Sequence, residues 1–223
     1  MLQHLQCIGR RMNGTPKHWI VDAMTPRLPL GSTRAIIAAL AVDNACMNGI
    51  FKPLFSLLLL ALAACQPALN WRESRSDASP LSALLPCKPD RATREVPMAG
   101  QTVTLDMLGC DAAGATFAIS HTQLSDPMQA GPALAGWRTA VLANIRAAEV
   151  VETPFALPGS LGLPQAVRLR MQGQRTDGRA VSAQAVWFAY VNRGAVDVFH
   201  AVVYADHPDE TVVNTFFDGL RLP

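Results

Sequence analysis

The chain has 223 residues, half of them hydrophobic, with 19 Lys+Arg against 17 Asp+Glu. From Cys65 onward, however, 13 bases face 15 acids, so that part has no basic excess with which to hold a nucleic-acid backbone. Residues 65–223 are enough for one domain with a core of its own, and no run of like charges marks an interaction tail.

Residues 1–46 fit no element. They mix scattered Pro and Gly with an apolar run, Ile36 to Val42, that Asp43 and Asn44 interrupt. They are expected to be a disordered, over-called N-terminal extension, with translation starting at Met47. From Met47 the layout is that of an export signal: one base at Lys52, an apolar stretch from Leu54 to Ala61, then small residues. The apolar stretch is too short for a spanning helix, which needs about 20 residues.

The residues Leu62-Ala63-Ala64-Cys65 resemble the lipobox of bacterial lipoproteins. That resemblance implies a signal peptide over 47–64, cleavage before Cys65, and acylation of the Cys65 thiol and the new amino terminus. The bilayer is then the first partner, reached through Cys65. Several acyl chains on one residue hold far better than one, since each buried methylene contributes about 0.8 kcal/mol. In the same family, Asp after the lipidated Cys directs retention at the inner membrane. Gln66 stands there instead, which implies the outer membrane with the domain facing the periplasm.

Residues 65–80 read as a polar tether and 81–223 as a single domain. Ser82 to Pro86 is an apolar strand. Arg91–Pro97 and Thr102–Leu108 are strands around the turn Met98-Ala99-Gly100-Gln101. If Pro97 faces Thr102, Pro89 faces Cys110, two residues from Cys87. Cys87 and Cys110 are the even pair left in an oxidising compartment and are expected to form a disulfide; a metal or redox pair is disfavoured because no C-x-x-C is present.

Ala115 to His121 is the next strand. Gly131 to Ala148 places Leu134, Trp137, Val141 and Ile145 on one helical stripe. Val150 to Ala156 is a strand followed by a Pro/Gly loop. Gln165–Gln172, Arg179–Tyr190 and Ala195–Tyr204 are longer strands joined through Thr176-Asp177-Gly178 and Asn192-Arg193-Gly194. A short helix starts within Asp206–Glu210, and Leu220–Pro223 ends the chain as an edge strand.

The order strands, helix, long strands, helix predicts an α+β fold: a curved antiparallel sheet with one long and one short helix packed on it. This order, and the ending Phe216-Phe217-Asp218-Gly219-Leu220, resemble the PsbP-like fold of photosystem II extrinsic proteins and their bacterial lipoprotein relatives. The resemblance covers about residues 80–222 and implies a fold that hosts varied non-enzymatic roles.

No nucleophile elbow, H-E-x-x-H, phosphate loop or dinucleotide fingerprint is present, so no catalytic residue, cofactor or metal is expected. His200, alternating with Val198 and Val202, reads as a satisfied core residue, His207 as a cap or surface group, and His121 as a strand end. Asp106 and Asp197 read as acids on solvated strand faces. Arg168 and Arg170 point the same way from one strand, with Arg179 across the hairpin, which offers a face for an anion or a partner's acids. The leading expectation is a non-catalytic, membrane-anchored binding or support module of the cell envelope with a protein partner. The alternatives are a small-ligand module with a pocket between sheet and helix, and a hydrolase with a dispersed site.

Overall fold

The computed structural model describes residues 69–223. The expected extension, signal peptide and Cys65 lie outside the described residues. Nine strands and two α-helices follow: β1 (Arg72–Arg75), β2 (Ser82–Leu85), β3 (Asp90–Met98), β4 (Gln101–Ala112), β5 (Ala115–Leu124), α1 (Ala130–Asn144), β6 (Ala148–Pro154), β7 (Val167–Gln174), β8 (Ala180–Asn192), β9 (Ala195–Ala205) and α2 (Glu210–Asp218). The chain is α+β, as its element order predicts.

Three tight turns organise the sheet. Ala99-Gly100, Ala113-Gly114 and Arg193-Gly194 each hold both residues at positive φ, the backbone twist that matches flanking antiparallel strands. They close β3–β4, β4–β5 and β8–β9, and the seven-stranded sheet runs β3-β4-β5-β9-β8-β7-β6, antiparallel throughout. Pro97 faces Thr102 in the β3–β4 ladder.

Central β9 is buried along its length except at Ala195, because both faces of the sheet are covered. On one face α1 sets Leu134, Val141 and Ile145 against Leu169, Trp187 and Val198. On the other, α2 and the β1–β2 hairpin set Phe216, Phe217 and Leu85 against Phe117, Phe188 and Phe199.

The structure corrects several boundaries. The long helix stops at Asn144 rather than Ala148. Arg146 takes the left-handed conformation (φ 48°), while its N–H reaches Ala143 O and the Ala147 N–H reaches Leu142 O. That bond pair terminates a helix and usually employs Gly. The freed carbonyl of Ile145 accepts from Gln174 N at 2.7 Å on β7. This close approach requires Gly173, where a Cβ would run into the Ile145 carbonyl. Gly173→Ala is expected to cost about 2 kcal/mol or more, read as a lower denaturant midpoint.

The tether expectation also changes. Within 65–80, Arg72–Arg75 pairs with Ser82–Leu85 as β1, and Trp71 lies edge-on to Phe117 at 6.5 Å. Folding therefore begins well before Leu81. The C-terminal residues make a single bridge, Arg221 to Ser82, rather than a strand. The second helix begins at Glu210, with Asp209 accepting from Thr211 N and Val212 N.

Cys87 and Cys110 are joined by a disulfide, Cα–Cα 6.0 Å and 23 residues apart. It ties the entry to β3 onto the end of β4. Closing a loop of this length stabilises by about 3 kcal/mol in the chain-entropy model. Cys87→Ser with Cys110→Ser is expected to lose that amount, read by equilibrium unfolding of the oxidised protein beside the variant.

Candidate functional site

The arginine face is not assembled. Arg168 and Arg170 do share one face of β7, but α2 covers it. Arg168 donates to Gln184 Oε1 and Asn214 Oδ1, both at 2.8 Å, and lies over the Phe217 ring at 4.8 Å. Arg170 pairs with Glu210 at 3.0 Å, and Gln184 donates to the same carboxylate at 2.7 Å. Burial, and then the neighbouring Arg170, lower the pKa of Arg168, opposed by Glu210 and Asp218. Arg179 stands apart in the β7–β8 turn, where its Nε meets Asp177 Oδ2 at 2.6 Å. Arg168 and Arg170 thus latch the short helix to the sheet, while the buried Arg168 Nε is left without a partner.

A second polar group lies on the same face of the sheet, under the β1–β2 hairpin. Asp197 is fully buried on β9, and His121 on β5 is 4% exposed. His121 Nε2 meets Asp197 Oδ1 at 2.8 Å, and Gln123 Nε2 donates to the same oxygen at 3.2 Å. Asp197 is therefore a buried acceptor rather than an acid on a solvated face, and His121 sits inside its strand rather than at the end. With Nε2–H given to the carboxylate, Nδ1 is left as an acceptor; it has no partner, nor has Asp197 Oδ2.

His121 lines a chamber of about 10 Å³ with Ser74, Ser76, Ser79 and Asp106, a size that suits one water. Asp106 lies directly opposite His121 in the β4–β5 ladder, and Thr93 lies opposite Asp106 in β3–β4. The chamber shares Ser76, Asp106 and Leu108 with an open groove of about 380 Å³, whose other walls include Asp77, Arg91 and Thr93. Arg91 is steadied by donating to the Arg75 carbonyl at 2.5 Å. The result is a shallow groove of mixed polar and apolar lining next to the chamber that His121 lines.

Such a pair holds the general base of many hydrolases. Here no described hydroxyl reaches Nδ1 within hydrogen-bond distance, and the chamber is too small for a substrate. Where the alternative reading places a pocket between sheet and long helix, Leu134 is 0% and Ile145 1% exposed, packed with Leu169 and Trp187 in one apolar core.

His200 is buried between Trp187 (4.6 Å) and Trp137 (5.4 Å), on the face under α1. Its Nε2 is unpartnered rather than satisfied. His207 is exposed ahead of α2. Among the described residues no three His, Cys, Asp or Glu converge as a metal site, and no helix is long and apolar enough to cross a membrane.

Asp197 is the residue the reading by periodicity missed. Its signal was a lone carboxylate inside Val196-Asp197-Val198-Phe199, a context that demands a buried donor.

No family model matches the chain, and no curated protein matches it. Among solved structures, a protein of unknown function, PA94 from Pseudomonas aeruginosa, is similar at 17% identity over 61% of this chain and 84% of that one, with a TM-score of 0.28.

Proposed function

We propose that the chain is a lipid-anchored envelope protein whose domain is a non-catalytic binding module facing the periplasm from the outer membrane. Anchoring is supported by the Leu62-Ala63-Ala64-Cys65 sequence and by Gln66 after it. A disulfide-tied domain suits the oxidising side of a membrane.

The observation that carries the binding role is the open groove lined by Arg91, Thr93 and Asp106, which shares Ser76, Asp106 and Leu108 with the small chamber that His121 lines. The groove's occupant is a polar segment of an envelope protein. A second reading, a small polar ligand, is favoured by the groove volume, which lies in the usual range for ligand sites.

The test is intact mass of detergent-extracted protein together with photo-crosslinking. The expected mass is that of Cys65–Pro223 plus acyl chains, with two thiols appearing only on reduction. A photo-crosslinking residue at Thr93 is expected to give a discrete protein adduct in living cells, and one at Arg193 none. An unlipidated mass retaining residues upstream of Cys65 would overturn the anchor. Equal crosslinking at the two positions would overturn the groove.

A further inference from the structure

We infer that the end of the sheet carrying Trp71, Arg72 and Lys88 rests on the anionic headgroup layer of the bilayer. This rests on the lipid-anchor reading.

The geometry starts from chain length. The first backbone hydrogen bond of the domain is Asn70 N to Pro86 O at 2.7 Å. Asn70 is the fifth residue after Cys65, and five residues span at most about 18 Å. The longest strand, β8, has 13 residues and runs about 40 Å. A lipidated Cys65 therefore cannot set the far end of the sheet on the bilayer while Asn70 stays in place.

The near end is defined by register. Ala115 and Ser182 both face Ala205, so the turns at 112–115 and 175–179 leave the sheet beside Trp71 and the disulfide. The far end carries the turns at 98–101 and 192–195, and Met128, which is 81% exposed.

The chemistry of the near end fits a lipid surface. Trp71 is half-buried on Phe117, and an indole with one apolar and one wet side favours the interfacial layer. Arg72 and Lys88 are exposed beside it, and neither makes an ion pair among the described residues. Of the acids at this end, Glu73 pairs with Arg75 at 3.7 Å, Asp177 with Arg179 and Asp206 with Arg175 at 3.1 Å, while Asp111 accepts from the Thr116 hydroxyl at 2.6 Å and keeps its charge. The turn between β4 and β5 is Ala112-Ala113-Gly114-Ala115, small enough for close approach. Each base near an anionic surface contributes attraction that the short tether does not oppose.

The experiment uses lipidated mature protein in vesicles of phosphatidylcholine and phosphatidylglycerol, with a fluorophore at Ala113→Cys or at Met128→Cys and headgroup-spin-labelled lipid as quencher. Strong quenching at residue 113 and little at 128 is expected. Arg72→Glu and Lys88→Glu are expected to lower the docked-to-undocked ratio by roughly fivefold for each charge, while the protein still co-floats with the vesicles. Pure phosphatidylcholine should act like the charge reversal. Equal quenching at both positions, or stronger quenching at 128, on vesicles that carry the protein would overturn the proposal and leave the anchor standing. Failure to co-float at all would overturn the anchor and the proposal with it.

Discussion

Asp197→Ala is expected to destabilise the domain by about 3 to 5 kcal/mol, read as a shift of the denaturant midpoint at unchanged slope. Asp197 lies near the start of the central strand β9 with no exposed surface. One oxygen accepts from His121 at 2.8 Å and from Gln123 at 3.2 Å. Truncation removes the acceptor from the buried His121 donor, and a buried donor left without a partner costs about 1 to 3 kcal/mol; Gln123 is exposed and turns to water. Truncation also leaves a void beside Phe199, which stacks on the His121 ring at 5.0 Å. Replacing both members, Asp197→Val with His121→Leu, is expected to be much milder than the sum of the single changes, because an apolar pair needs no donors. Strict additivity would show that the two side chains do not stabilise each other.

Much of the sheet was legible because its turns are local. Ala99-Gly100 and Arg193-Gly194 announce hairpins in the residues themselves, and facing Pro97 with Thr102 sets every later pair in β3–β4, including the approach of Cys87 to Cys110. What was illegible has physical causes. The end of α1 depends on Arg146 accepting a conformation that Gly adopts more readily, so no residue type marked it. Strand β1 hides in Arg72-Glu73-Ser74-Arg75, since three of its four residues are exposed and the strand needs no apolar side chain.

The candidate site was less legible still. His121 and Asp197 are 76 residues apart, and they meet because the edge of β5 away from β4 pairs with β9 rather than with β6. Periodicity assigns a residue to a face but does not say which distant strand lies beside it. For Arg168 and Arg170 the shared face was correct. The missing fact was that α2 would lay Glu210, Asn214 and Phe217 over them.

Acid is expected to unfold the domain through His200. Burial against Trp187 and Trp137 holds its pKa down to about 3, whereas an unfolded His titrates near about 6.5. Above that value the ring is neutral in both states and stability does not depend on it. Below it the unfolded chain binds a proton that the folded one refuses, so stability falls by about 1.4 kcal/mol per pH unit until the folded ring also titrates. The loss is therefore complete below about pH 3 and amounts to about 5 kcal/mol. His200→Phe keeps a flat ring in the stack and removes both the proton site and the unpartnered Nε2. Its stability at neutral pH is expected to stay within about 1.5 kcal/mol of the parent. Between pH 6 and 4 its unfolding free energy should decline with a slope one proton shallower. Parallel slopes for the two proteins would assign the acid sensitivity to other groups and show that a charged His200 is tolerated between the two tryptophans.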